Sequence, residues 1–311
     1  MSNTVTARPR TSPLLVLALS LVGISLAAPL IRLSAADPLV IATWRLGFSM
    51  IIVAAALVIG GGWREWRTLA AKDYLFALGA GVLLAIHFWS WNASLRYTSV
   101  AASVALVNVQ PVIIAMVSVL WLRESPSRVQ WLGIALAVLG ALIVGMADVP
   151  GGLFAIGPAL LGEGQSGSRA LFGDLLALLG AVTAAGYYLI GRRLRQHLGL
   201  WPYVALVYGA AFATCLLLTQ FAGKPLTPQP PRELAIFAGL AIGPMLLGHT
   251  GMNWALGHLP AFIVNLTTLG EPIGATILAA LLPGIAEVPG VGTIAGGALV
   301  LAGVVLAARR N

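Results

Sequence analysis

PLVIATWRLGFSMIIVAAALVIG, residues 38–60, is an apolar stretch broken by a single charge, Arg45. At 1.5 Å per residue an α-helix of this length measures about 34 Å, enough to cross the roughly 30 Å hydrocarbon core of a bilayer. The run is far longer than the alternating segments of about ten residues that build a transmembrane β-barrel. It predicts a membrane-spanning helix.

The rest of the chain has the same texture. Of its 311 residues 59% are apolar and only 9% charged, and the mean hydropathy is +0.93. A soluble domain carries about 25% charged residues, so a wetted surface is excluded. Apolar windows and their polar breaks predict ten spans, near 13–33, 38–60, 73–95, 99–121, 128–147, 170–191, 201–222, 233–256, 260–282 and 288–308. The loops between them are too short for a water-soluble catalytic domain. The first span follows Arg8 and Arg10 as a secretory signal would, but no small-residue cleavage site separates it from the next apolar run, so it reads as a retained helix.

The formal charge of +8 is distributed asymmetrically. With the N-terminus placed in the cytoplasm, the inner segments hold Arg8, Arg10, Arg64, Arg67, Lys72, Arg123, Arg128, Arg192, Arg193, Arg195, Arg309 and Arg310. The outer segments hold Arg32, Arg96, Arg169, Lys224 and Arg232. This is the positive-inside bias. It places both termini in the cytoplasm and accounts for the basic pI without a nucleic-acid partner. Trp63 and Trp66 read as anchors at the inner interface. Cys215 is the single cysteine, so no disulfide forms within the chain, and it reads as a small packing residue.

Sliding the chain along itself by 161 positions sets Asn92 on Asn253 and Gln110-Pro111 on Glu271-Pro272. Slightly larger offsets align Gly133 with Gly296, Gly140 with Gly303 and Pro38 with Pro202. A repeat of five helices is odd, so the second copy enters the membrane from the opposite side. The fold class expected is an all-α membrane protein of ten transmembrane helices in two inverted five-helix repeats, residues 1–150 and 151–311. Such repeats build secondary transporters, with the substrate site at the repeat interface near the midplane. Pro111 and Pro272 each lack an N–H, which frees the carbonyls of Val107 and Thr268 and predicts kinks in helices four and nine. They are candidate hinges. Small residues at Gly133, Ala137, Gly140, Ala141 and Gly145, and at Gly292, Gly296 and Gly303, predict close packing of helices five and ten as a rigid scaffold.

These features, with Leu122-Arg123-Glu124 in the loop before Gly133 and the aromatic run His87-Phe88-Trp89-Ser90-Trp91, resemble EamA-type members of the drug/metabolite transporter superfamily, nearest to YddG-type exporters of aromatic amino acids. The second half departs from the loop signature, with Glu287 displaced and Pro283-Gly284 breaking the loop. The resemblance implies an exporter of amino acids or similar small metabolites in a bacterial inner membrane, acting by alternating access.

Ionisable groups inside spans mark function by default. His87, Ser90 and Trp91 on helix three, Asn108 on helix four, Tyr187 on helix six and Asn265 on helix nine are the candidate substrate contacts; for His87 a structural hydrogen bond is the alternative. Glu271 is the single mid-span acid and the candidate proton carrier, with a protonated structural carboxyl as the alternative. His249 and Tyr188 are further polar groups for a central path. Arg45 lies seven residues from the outer end of helix two and is expected to snorkel outward. With Arg45 at the rim and no lysine in mid-span, a neutral or zwitterionic, partly apolar substrate is favoured over a phosphorylated one such as a nucleotide sugar. No phosphate-binding loop, HExxH or Cys/His cluster is present, so neither a cofactor nor a metal site is expected. The rival class, an intramembrane enzyme, needs converging acids or a nucleophile with its base. The partners expected are a small-molecule substrate and the lipid bilayer, with the protein acting as a monomer.

Overall fold

The computed structural model describes residues 11–97, 103, 106–122, 126–147, 165–271, 273–274, 278 and 291–308. They are predominantly helical, with no strand among the described residues. Among the described residues six helices are long and apolar enough to span a membrane: Pro13–Leu33, Pro38–Ile59, Ala71–Ser94, Leu171–Leu194, Leu200–Phe221 and Pro231–Ala255. Shorter apolar helices cover Gln110–Trp121, Arg128–Gly140, Ala261–Gly270 and Ile294–Ala307. The expected domain boundary at 150/151 lies outside the described residues, as do Arg8, Arg10, Arg123, Glu124, Pro272, Pro283, Gly284, Glu287, Arg309 and Arg310.

In chain order the elements are α1 (Pro13–Ser25) and α2 (Ala27–Leu33), then α3 (Pro38–Ile59) and α4 (Ala71–Ser94). They continue with α5 (Gln110–Val117), α6 (Arg128–Ala147), α7 (Gln165–Leu194) and α8 (Leu200–Phe221). The last are α9 (Pro231–Leu240), α10 (Gly251–Ala255), α11 (Ala261–Leu266) and α12 (Val291–Ala308). Boundaries follow local chemistry. Asp37 caps α3 by accepting the Leu39 N–H at 3.0 Å, with Pro38 in the first turn where its missing donor is harmless. The chain leaves α3 through Gly60 and Gly61, and Gly61 has φ 65°, a left-handed conformation that favours glycine. Glu233, in the first turn of α9, accepts hydrogen bonds from Ser34 Oγ at 2.5 Å and the Ala35 N–H at 3.0 Å, tying the α2–α3 link to α9.

Helix packing is antiparallel and close wherever small residues meet. On α6, a Cβ at Gly133 would lie 2.7 Å from the Gly303 carbonyl oxygen of α12, and one at Gly140 would lie 2.6 Å from that of Gly296. The stripe of small residues therefore packs backbone on backbone, and only glycine fits. On α7, Gly180 faces Ser90 and Trp91 of α4, while Gly186 faces Leu83. On α1, Gly23 faces Gly243 and Gly248, and Ser20 faces Gly251. Helices α3 and α8 are joined by a Thr43–Thr219 hydroxyl pair at 3.0 Å.

Polarity is inverted relative to a soluble protein. Ile59 is 86% and Phe221 87% exposed, whereas Arg45, Asn253 and Asn265 are buried. An apolar exterior around a polar interior suits a hydrocarbon solvent. At the end of the bundle that carries Arg64–Lys72 and Arg192–His197, Trp66 donates its indole N–H to the Pro202 carbonyl at 3.1 Å. Arg64 and Arg67 stack over Trp63, their guanidinium carbons 5.4 and 5.1 Å from the ring centroid. We refer to this as the basic end.

Candidate functional site

Helix irregularities converge at the centre. The helical path breaks just before Pro111: Leu106 and Val107 are helical, Asn108 and Val109 form a turn, and the helix resumes at Gln110 with Pro111 in the first turn of α5. The break sits where the sequence places a kink, because the proline ring is compatible with a first turn and clashes with a preceding one. In the other half, α11 tightens into a 3-10 turn over Thr267–Gly270 immediately before Glu271. Between α9 and α10 the backbone widens to a π-helix over Ala241–Thr250, which contains Pro244. Irregular backbone at membrane depth is tolerated where it borders protein or a water-filled cavity.

Such a cavity is present. It is lined by Ile24 and Ala27, Arg45, His87 and Trp91, Val107, Asn108 and Gln110, Tyr188, Pro244 and His249, and Thr268 and Glu271. Its water-accessible volume is about 40 Å³. At roughly 10–15 Å³ per water, that holds a few waters and no metabolite, so a cargo must enter by widening it.

One wall is aromatic. His87 and Trp91 stack at 6.3 Å with a 4° interplanar angle, and Phe88 meets His249 edge-on at 5.2 Å. His87 Nδ1 is 2.9 Å from the Gly180 carbonyl, which fixes the ring against α7. With that carbonyl as its partner, Nδ1 carries the proton and leaves Nε2 as the acceptor. Tyr188 hydroxyl and His249 Nδ1 are 3.2 Å apart. Gln110 Nε2 donates to Thr268 Oγ1 at 3.1 Å, joining the two helices that hold the candidate hinges.

Of the residues singled out from the sequence, His87, Trp91, Asn108 and Glu271 line the cavity. Ser90, Tyr187 and Asn265 are buried but do not line it. Ser90 donates back to the His87 carbonyl at 3.3 Å and packs on Gly180. Asn265 donates to the Ala261 carbonyl at 3.0 Å. The Tyr187 hydroxyl accepts from Asn253 Nδ2, which also donates to the Tyr208 hydroxyl at 3.1 Å, and Tyr208 in turn pairs with Thr250 at 3.0 Å. This cluster lies between the cavity and the basic end. Arg195 Nε reinforces it by donating to the Asn253 carbonyl at 2.9 Å.

Arg45 corrects an expectation. It does not snorkel: it is 1% exposed, turned into the bundle, with its guanidinium carbon 4.1 Å above the Phe88 ring centroid. The cation–π contact and the inward face of α3 hold it on the cavity wall. Distance along a helix measures depth, but it leaves unspecified the face a side chain occupies. The argument from charge against an anionic cargo loses its premise with this residue. Pro244, Gln110 and Thr268 also line the cavity without having been expected as contacts, although a proline inside an apolar run was a readable signal.

A profile of the EamA-like transporter family matches residues 11–146 and 171–309. The chain belongs to the EamA-like transporter family. This EamA-family protein is similar to the uncharacterized transporter YdfC of Bacillus subtilis (strain 168), with 24% identity over 262 residues, 83% of this chain and 78% of that protein. A protein of known crystal structure shares the fold, with a TM-score of 0.75 at 17% identity, covering 96% of this chain and 97% of that one. The EamA-family protein is therefore a multi-pass, all-helical membrane transporter, and its central cavity is the candidate cargo site.

Proposed function

We propose that this EamA-family transporter exports amino acids with aromatic or other apolar side chains, and similar small metabolites, by alternating access. In this reading ten spans form two inverted five-helix repeats, residues 1–150 and 151–311, in a bacterial inner membrane with both termini cytoplasmic. The observation that carries it is the pairing of cavity residues between halves. Ala27 and Tyr188, Val107 and Thr268, and Gln110 and Glu271 all line the cavity, and each pair is separated by 161 positions, the offset that aligns the halves in sequence. The interfaces pair to within one residue of that offset: Ser20 of α1 faces Gly251, and Gly180 of α7 faces Ser90, with Ser90 and Gly251 161 apart and Ser20 and Gly180 160 apart. A cavity on the axis between inverted halves suits a carrier that rocks about its site.

Aromatic walls bury an apolar side chain, while sparse polar groups orient the charged end of the cargo. His87 and Trp91 supply the wall and Asn108 a polar contact. Ser90 and Tyr187 support them from behind, and Asn265 is set back on α11. Glu271 carries the coupling proton, and Pro111 with Pro272 marks the bending points. The Asn253–Tyr187–Tyr208 cluster closes the basic end. The protein works as a monomer, with no nucleic-acid partner and no metal or cofactor. The test is counterflow in proteoliposomes loaded with single amino acids. Exchange of labelled phenylalanine, tryptophan or leucine is expected; a panel in which no amino acid exchanges refutes the reading.

A further inference from the structure

The cavity wall carries a buried cation with an unpartnered donor. Arg45 is 1% exposed, its Nε has no hydrogen-bond partner, and among the described residues no ion pair within 4 Å involves it. Trp91 Nε1 is a second buried N–H on the same cavity without a partner. Orphaned donors in a desolvated site cost free energy until an acceptor arrives. A carboxylate satisfies both: a guanidinium fork matches its two oxygens, and an indole N–H can add a third bond. A phosphate would bring about two charges against one arginine, so a monoanion fits better.

We propose that Arg45 is the anchor for a carboxylate on the cargo, with the Trp91 N–H as its auxiliary donor, so that the transported molecules are monocarboxylates. This rests on the reading of the cavity as the cargo site and adds the group that is recognised there. Phe88, beneath Arg45, holds the guanidinium on the wall. His87, stacked on Trp91, holds the indole. The rest of the cargo then lies along the aromatic wall.

The rival role for Arg45 is charge balance with Glu271, which lines the same cavity. The two roles separate in the purified full chain in nanodiscs, titrated calorimetrically with phenylalanine, phenylalaninamide, phenylethylamine and 3-phenylpropionate. The parent is expected to bind the two acids and to bind the amide and amine at least about thirtyfold more weakly, the loss typical of removing one partner of a buried charge pair. Arg45→Gln loses the preference for acids, and Arg45→Lys keeps part of it. Trp91→Phe, which retains an aromatic ring and removes the donor, weakens both acids by about three- to tenfold more than it weakens the amide. In Arg45→Gln/Glu271→Gln, charge balance would restore acid binding, whereas carboxylate anchoring leaves it lost.

Amide or amine binding within threefold of the acids overturns the proposal, and so does restored acid preference in the double variant. Binding of neither acid also overturns it. Should 3-phenylpropionate bind through Arg45 while phenylalanine does not, the amino-acid reading fails and the carboxylate anchor stands. Trp91→Phe keeps the test informative if the Arg45 variants fail to fold.

Discussion

Replacing Asn253 by leucine should open the basic end. Asn253 Nδ2 joins α10 to α7 through Tyr187 and to α8 through Tyr208, and leucine fills a similar volume while removing both bonds. Hydrogen bonds between helices in a membrane bundle average about 0.6 and reach about 1.7 kcal/mol, so the pair is worth about 1–3 kcal/mol. Asn253 Oδ1 is already buried without a partner, and its removal returns part of that cost. The shift belongs at the lower end, about five- to tenfold in the open fraction. A Cys215→Ser background with Ala27→Cys places one reactive thiol on the cavity wall. Its modification by an impermeant maleimide applied from the basic side should quicken by that factor in Asn253→Leu. Tyr203→Phe is the control, because the Tyr203 hydroxyl is buried with no partner and its loss removes no bond. Equal rates in Asn253→Leu and the parent, or equal acceleration in Tyr203→Phe, would refute the assignment of this cluster as a closure.

Gly133→Ala should lower the thermal stability of the purified protein by the equivalent of about 1–3 kcal/mol. Its Cβ would sit 2.6 Å from the Ala307 backbone nitrogen, so the helices must part; an unchanged melting temperature would contradict the packing of α6 on α12. His87→Ala removes both the stack on Trp91 and the bond to Gly180, and half-maximal transport should need a higher substrate concentration at normal membrane abundance. Unchanged half-saturation would return His87 to a structural role. Replacing Pro111 and Pro272 by alanine should slow exchange without loss of insertion, and parental rates would remove both from the mechanism. Glu271→Gln should abolish accumulation driven by a pH gradient while sparing counterflow; a parent protein that ignores the gradient would show that Glu271 carries no coupling proton.

The membrane class, the helical fold and most spans were legible in the chain because the bilayer imposes one length scale and one polarity rule on every segment. The run from Pro38 to Gly60 reports both. The glycine faces at 133 and 140 were equally legible, since a small residue every seventh position marks one helix face whatever lies opposite. Glu271 and His87 stood out because ionisable groups are rare at such depth.

What the sequence determined by itself, then, was that the chain is a helical membrane protein, which residues are costly there, and which positions recur 161 apart. Tertiary structure alone decided the rest. Arg45 looked like a rim residue because its depth is a property of one helix, but its environment depends on the Phe88 ring presented by another. Tyr187 and Tyr188 are adjacent in the chain, yet only Tyr188 reaches the cavity while Tyr187 bonds Asn253, because successive side chains on a helix point about 100° apart. Asn253 aligned with Asn92 in sequence but donates to tyrosine hydroxyls, whereas Asn92 donates to the Pro38 carbonyl at 3.4 Å. Helix periodicity fixes the neighbours within one element; which side chains share a cavity is set by how the elements pack, and that information is spread over residues far apart in the chain.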